Sequence, residues 1–396
     1  MKKKDKKENS QEPEGNPQGA AQGEGAAASA KAAPAKKEKK KAAQTAKEFS
    51  PRRLLSPLIP LYKTALSVRE FRLASGMEPV RWLRSPVISI GNLSTGGAGK
   101  TPFTIALAAE LSSRGLPIDV LSRGYGRQSD AVTRVDPEGT AEDFGDEPLL
   151  IAREAKVPVY VAAERYLAGL LAESDAEALL AAAPTEPSEA ASGKTAKEAE
   201  DPPPLCIHLL DDGFQHRQLA RTIDILLLSR EDWEDRLLPA GNLREPLEAL
   251  FRANAIAIPA GEPELAKALR EWGWEGPIWK LLRLLEIKKY DGPVMAFCGI
   301  ARPEQFFEGL ESAGLELSAQ FSFPDHYDYD ESIVRELAAA ARKHKVKAVL
   351  TTSKDWVRLG KLAALFPSET PLEVARLRIE VEDRAAMLTW LAERLL

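Results

Sequence analysis

The fifteen residues from Ser89, SIGNLSTGGAGKTPF, constrain this chain more than any other stretch. A short apolar strand, Val87–Ile90, runs into a glycine-rich loop, then Gly99-Lys100-Thr101, then a helix that continues to about Arg114. That is the context a phosphate-binding loop requires. Glycines let successive backbone N–H groups close around phosphate oxygens, and the helix start adds the positive end of its dipole. Ser94, Thr95, Gly96, Gly97, Ala98, Gly99, Lys100 and Thr101 are therefore the expected nucleotide-binding loop. Lys100 is placed to reach the terminal phosphates, and the Thr101 hydroxyl to hold Mg²⁺. One position departs from the usual pattern: Ser94 stands where the first glycine belongs. The second Gly-Lys-Thr, at Gly193-Lys194-Thr195, follows no strand and is read as chance.

A phosphate loop needs an acidic metal partner at the end of a neighbouring strand. LCIHLLDDGFQH supplies it, because Asp211 and Asp212 follow six mostly apolar residues. Either carboxylate suits Mg²⁺, with the other held behind it. Gln215 and His216 follow within one turn and are candidates to contact substrate or water; an ordinary solvated loop is the plainer account of His216.

Strand-like and helix-like patterns alternate over the rest of the chain. Strands are expected at Pro117–Leu121, Val157–Ala163, Leu205–Leu210, Ile223–Leu228, Val294–Phe297 and Val346–Thr352. Another is expected around Leu377, Ile379 and Val381, which alternate with Arg378 and Glu380. Helices are expected at Glu147–Glu154, from about Pro303, at Glu331–His344 and at the C-terminus. The fold class is thus α/β: a phosphate-loop NTPase-like parallel sheet with helices on both faces, plus a second, smaller α/β domain. The domains are expected over residues 85–256 and 257–396.

The whole chain carries a net charge of −5, which hides an asymmetry. Residues 1–50 hold 12 Lys against 7 acids and almost no large apolar residue, so they read as a disordered tail. Residues 51–84 are also basic, with seven Arg and Lys against two Glu, but here Leu, Ile, Tyr, Phe and Trp are interleaved. That mixture fits a segment lying in a membrane surface, or equally a helix packed on its own domain. Ser174–Pro204 is Ala, Glu and Pro-rich and reads as a loop insertion into the first domain. Cys206 and Cys298 are too few for a disulfide framework, which makes a reducing compartment the default. No apolar run is long enough to span a bilayer, and no signal-peptide core opens the chain.

Further polar segments follow strands or open helices, where an α/β sheet places its ligands. GNLSTGGAGKTP, LSRGYGR, GDEP, LLDDGFQH, LPAGNLREP, FPDH and TTSKD, in that order, resemble the tetraacyldisaccharide 4'-kinase family of lipid A biosynthesis. The resemblance covers about residues 52–396 and leaves the tail and the insertion outside. It implies transfer of the γ-phosphate of ATP, with Mg²⁺, to the 4'-hydroxyl of a tetraacylated glucosamine disaccharide 1-phosphate, giving lipid IV-A. The implied setting is the cytoplasmic face of the bacterial inner membrane, on whose surface residues 51–84 would lie. The implied partners are that lipid and the membrane, with no nucleic acid and no obligate protein partner.

On this resemblance Asp146 of GDEP is the catalytic base and His326 of FPDH its partner from the second domain. The pair is expected to form as the domains close. A helix N-cap is the plainer account of Asp146, and an assignment with Asp146 beside the metal and Asp211 or Asp212 as base stays open. Arg244 of NLREP is expected near the transferred phosphate or the substrate's 1-phosphate, with Glu245 orienting it or reaching the metal. Arg123, Tyr125 and Arg165 are further substrate candidates. Lys354 and Asp355 either approach the nucleotide or simply open a capped helix.

The rival class is a phosphate-loop switch or metallochaperone GTPase. Thr352-Ser353-Lys354-Asp355 imitates a guanine-reading segment but places Lys one position late, and no Cys/His cluster suits a metal cargo. A nucleic-acid binder is excluded by the acidic body and the lack of an aromatic-basic platform.

Overall fold

The computed structural model describes residues 51–182 and 206–395, so the expected tail over 1–50 and residues 183–204 of the expected insertion lie outside the described residues. Residues 174–182, also expected in that insertion, instead finish a helix. Their sequence, SDAEALLAA, is dense in strong helix formers.

The strands are β1 (Val87–Asn92), β2 (Ile118–Ser122), β3 (Thr133–Arg134), β4 (Val159–Val161), β5 (Ile207–Asp211) and β6 (Ile223–Leu227). They are followed by β7 (Ala255–Pro259), β8 (Ile278–Glu286), β9 (Val294–Cys298), β10 (Leu317–Ser322), β11 (Val349–Thr352) and β12 (Leu372–Val381). All join one sheet in the order β10-β9-β11-β12-β8-β7-β6-β1-β5-β2-β4-β3. Neighbours are parallel except β12 with β8 and β3 with β4. Residue 257 lies within β7, which pairs with β6 in the same sheet.

Every residue of β1, β2, β5 and β6 is buried, as parallel strands covered on both faces must be. The chain's longer helices are α1 (Ile59–Ala74), α2 (Lys100–Ser112), α3 (Asp146–Ala155) and α4 (Arg165–Ala182). After the sheet's midpoint come α5 (Pro263–Glu271), α6 (Pro303–Ser312), α7 (Glu331–Lys343), α8 (Ser353–Leu359) and α9 (Arg384–Leu395). Leu107 of α2, Leu149 and Ile151 of α3 and Leu391 of α9 share a core with Ile88, Ile90 and Leu209 on one face of the sheet. On the other face Ala168 and Ala172 of α4 meet Val87, Leu121 and Leu210. Helices therefore cover both faces, as expected.

The packing brings the C-terminal ends of β1, β2 and β5 side by side. Their loops carry Ser94–Gly99, Arg123 and Asp212, at the edge where such a sheet binds ligands.

The segment 51–84 packs on its own domain and leaves an apolar stripe exposed. After a turn of 3₁₀ helix at Pro51–Leu58, α1 packs Ile59, Tyr62 and Leu66 onto the domain, while Leu61, Val68 and Phe71 on the opposite stripe stay exposed.

Candidate active site

The glycine loop leaves β1 and turns into α2 through Gly96, Gly97 and Gly99, all at positive φ (77°, 72° and 80°), where a side chain would be strained. Ser94 needs no such freedom. Its backbone bridges Leu243, its Oγ accepts from Asn92 Nδ2 at 3.0 Å, and Thr95 N–H donates to Asn242 O at 2.9 Å. The NLREP segment thus braces the loop from the side. Thr95 is exposed, whereas Ala98 and Thr101 are half-buried at the start of α2.

Lys100 Nζ donates to Asn92 Oδ1 at 2.8 Å and lies 3.4 Å from Asp212 Oδ1. Arg244 grips the same carboxylate with both Nη atoms, at 2.8 and 3.1 Å, and reaches Asn92 Oδ1 at 2.6 Å. Burial would raise the Asp212 carboxyl, but the Lys100 and Arg244 charges outweigh it and hold the group well below the usual range. Asp211 is its opposite. Buried, and faced by Glu147 and Asp212, it is pushed up to about 7, although Lys100 and the Thr104 hydroxyl partly offset the push. Thr104 Oγ1 lies 3.1 Å from its Oδ1.

Asp146 opens α3 and is buried. His326 Nδ1 lies 3.1 Å from its Oδ2, so the expected pair is in place. Arg358 of α8 donates to that oxygen through Nη2 at 2.6 Å and Nε at 2.8 Å. Lys354 stands 3.9 Å from it and 3.2 Å from Glu147 Oε1. Burial alone would raise the Asp146 carboxyl; the His326 hydrogen bond and the Lys354 and Arg358 charges hold it far below the usual range. His326 sits at φ 58° and meets the exposed Tyr125 ring edge-on, centroids 5.6 Å apart.

A cationic patch adjoins the acidic pair. Burial and the nearby Arg123 charge lower Arg165 to about 10, with Asp212 and Asp211 opposing. Burial, then Arg165, Arg221, Arg69 and Arg123, push His216 down to about 3, so this imidazole is neutral among arginines. Gln215 Nε2 donates to Asn92 O at 2.9 Å.

One expected residue points elsewhere, and Asp355 takes the capped-helix alternative expected for it. Glu245 directs its oxygens to Arg252, 2.5 Å away, and Arg69, 3.8 Å away. Asp355 caps its own helix through Thr352 and accepts from Tyr329 OH and Gly299 N, both at 3.0 Å. Sequence reasoning missed Asn92, Glu147 and Arg358. Arg358 carried a signal, since it stands four residues after Lys354 on one helix and so shares its face.

Buried polar atoms test whether this cleft suits a phosphate ligand and a metal. Arg165 Nε, Arg244 Nε and Gln215 Oε1 are buried with no hydrogen-bond partner among the described residues. Asp211 is buried and faces the Glu147 and Asp212 carboxylates, a position whose negative charge a divalent cation would relieve. The residues fit both a phosphate group and a divalent cation.

A family model for "Tetraacyldisaccharide-1-P 4'-kinase" matches residues 51–396. The "Tetraacyldisaccharide 4'-kinase" of Koribacter versatilis is 38% identical over 346 residues, 84% of this chain and 96% of that protein. Its counterpart from Aquifex aeolicus is 35% identical over 343 residues, 82% of this chain and 96% of that one. Among solved structures, the "apo" form of LpxK from Aquifex aeolicus in complex with ATP superposes with a TM-score of 0.64 at 32% identity. That likeness covers 87% of this chain and 99% of the other. None of these relatives is a switch GTPase, and the chain belongs to the tetraacyldisaccharide-1-P 4'-kinase family.

Proposed function

We propose that the chain moves the γ-phosphate of ATP onto the 4'-hydroxyl of a tetraacyldisaccharide 1-phosphate, at the cytoplasmic face of the bacterial inner membrane. The observation that carries this reading is the pairing of two constellations in one cleft. The Ser94–Thr101 loop with Lys100 lies on one side, and the Asp146–His326 pair on the other, bridged by Glu147, which faces both Asp211 and Lys354.

Lys100 binds the terminal phosphates, and Arg244, already poised beside it on Asp212, steadies the group in transit. Asp211 and Asp212, with the Thr101 hydroxyl and Glu147, would hold Mg²⁺, which would supply counter-charge to the phosphates. Asp146 holds His326 by its Nδ1, and Nε2, now 3.3 Å from Lys354 Nζ, takes the sugar's proton once the acceptor hydroxyl displaces that lysine. An aspartate so strongly ionised is a weak base alone, so the imidazole carries the proton. Arg123, Arg165, Tyr125 and Gln215 receive the acceptor, with the arginines suited to its 1-phosphate. We also place Arg69 and Glu245 behind that patch, tying α1 to it. Residues 257–396 act as the smaller half of a cleft, its strands β9–β11 carrying His326, Lys354 and Arg358 to the P-loop half.

The test incubates the full chain with labelled ATP, Mg²⁺ and a panel of alcohol acceptors that includes the acylated disaccharide. Label is expected on that sugar. ATP hydrolysis with no labelled acceptor would overturn the reading.

A further inference from the structure

We propose that Arg302 is a nucleotide-contacting residue, holding the non-transferred phosphates from above the glycine loop; this rests on the kinase reading.

Arg302 stands at the N-cap position of α6, after β9, which is far from β1 in the strand order, yet it lands on the loop. A Cβ placed on Gly97 would stand 2.7 Å from Arg302 Nε and 2.9 Å from its Cδ. One placed on Gly96 would stand 3.3 Å from the Ala301 methyl. Glycine at 97 is favoured by its φ, and a side chain there would displace this arginine from the loop. The segment that delivers it is fixed at its base. Gly299 donates to Asp355 and accepts from Arg358 Nη1 at 2.6 Å, and Arg358 is the residue that grips Asp146.

The guanidinium is parked on two acids. Nη1 lies 2.9 Å from Glu231 Oε2 and Nη2 lies 3.5 Å from Asp232 Oδ1. Asp232 is already committed, because its other oxygen accepts from Ser229 N and Oγ in a capping box. Glu231 is a half-exposed side chain, 45% accessible, and exposed ion pairs hold weakly. A second arginine, Arg283 of β8, lies near enough to feel the Arg302 charge and donates to Gln305 Oε1 of α6 at 3.0 Å. With Asp232 engaged in its capping box and Glu231 half-exposed, the Arg302 guanidinium beside Gly97 can turn to an anion held in the loop.

Position decides which anion. In such loops the glycine amides cradle the α- and β-phosphates, while the lysine at the loop's end reaches the β- and γ-phosphates. Gly97 precedes Lys100 by three residues, so Arg302 meets the diphosphate part. A polyphosphate carries more charge than Glu231 and offers paired oxygens to a planar fork, so the arginine exchanges its exposed acid for it.

The test measures ATP and ADP affinity by titration calorimetry on the full chain, for the unaltered protein, Arg302→Ala, Arg302→Lys, Glu231→Gln and Lys100→Ala. Arg302→Ala is expected to weaken ATP and ADP alike by roughly ten-fold or more, with kcat changing less than KM for ATP. Arg302→Lys should recover part of the loss. Glu231→Gln should leave both affinities unchanged or tighten them, since it frees the arginine. Two outcomes overturn the proposal: Arg302→Ala within two-fold of the unaltered chain for both nucleotides, or Glu231→Gln losing as much as Arg302→Ala. The second would make Arg302 a strut between α6 and the Arg230–Trp233 turn, and thermal midpoints would then fall together. Should the unaltered chain bind neither nucleotide, the kinase reading falls and this one with it. If it binds both and only Lys100→Ala loses affinity, this proposal alone fails.

Discussion

At the residue scale, the Asp146–His326 pair makes the sharpest demand. His326 and Arg358 share Asp146 Oδ2, so on the proposed roles removing either member of the Asp146–His326 pair disables the other. Asp146→Asn and His326→Ala are each expected to lower kcat by about 10²–10⁴-fold, with a much smaller change in KM for ATP. The double variant should be no slower than the slower single one. A loss equal to the product of the two would show independent residues and sink the paired role. A second residue has no part in the chemistry. His208 is fully buried on β5, with Nδ1 2.7 Å from Asp119 Oδ1 and Nε2 3.7 Å from Glu173 Oε1. Burial would lower its pKa, but the Asp119 charge and its hydrogen bonds with Asp119, Cys206 and Glu173 raise it well above the ordinary value. A folded-state pKa above the unfolded one means the stabilisation is complete below about pH 6.5 and fades as pH rises through the folded value. His208→Leu, which leaves two buried carboxylates unpaired, should cost about 3–5 kcal/mol near pH 6 and less at alkaline pH. Urea midpoints from pH 6 to 9 check this; a gap that stays constant would mean a neutral imidazole. Within LCIHLL this histidine looked like one more strand residue, because its partners lie 89 and 35 positions away along the chain.

At the scale of elements, the parts legible in the sequence were those whose physics is local. The glycine loop was readable because three glycines, a lysine and a helix start carry its geometry within a few residues. Even Ser94 was no obstacle, since its backbone pairs with Leu243 instead of turning through a glycine-only conformation. β12 was readable from its alternation, but its antiparallel partner β8 was not. In IWKLLRLLE, Trp279 and Leu281 are buried while Leu282 and Leu284 are exposed, so apolar residues occupy both faces and blur the period of two. β10 escaped for a related reason: most of it is half-buried, so little burial pattern was written into LSAQFS. The end of α4 was misjudged the other way, where low complexity hid good helix formers. In the site, residues inside spaced motifs were found. Glu245 shows the limit of motif reading, since its neighbour Arg244 turns into the cleft while Glu245 is drawn back by Arg252 and Arg69. Which way a side chain leaves a loop depends on partners brought by other elements, and no spacing encodes that.

The whole molecule has to bring a soluble nucleotide and a lipid-bound alcohol to one cleft, and no helix among the described residues is long and apolar enough to cross a membrane. α1 offers another route. One stripe, Ile59, Tyr62 and Leu66, is packed inward, and Tyr62 OH donates to the Arg244 backbone carbonyl at 2.8 Å. The opposite stripe leaves Leu61 71% and Phe71 65% exposed, with Val68 between them on the same side of the helix and Arg53, Lys63 and Arg72 in the same segment. A helix exposing such residues gains by burying them in an interface, and a Leu and a Phe are together worth roughly 3–6 kcal/mol when fully buried. Partial burial at a headgroup layer still predicts a loss of at least about ten-fold in vesicle binding for Leu61→Ser combined with Phe71→Ser. Because both side chains are exposed, the thermal midpoint should stay within about a degree or two, and turnover of substrate dispersed in detergent should hold. Leu66→Ser on the inward stripe should do the reverse, lowering the midpoint through lost packing. Sedimentation with anionic vesicles at low and high salt separates the contributions, since added salt weakens the arginine and lysine attraction but not apolar insertion. If the exposed-stripe variant sediments with vesicles as well as the unaltered chain at both salt concentrations, α1 is not the surface that meets the bilayer, and the lipid must reach Arg123 and Arg165 from another side.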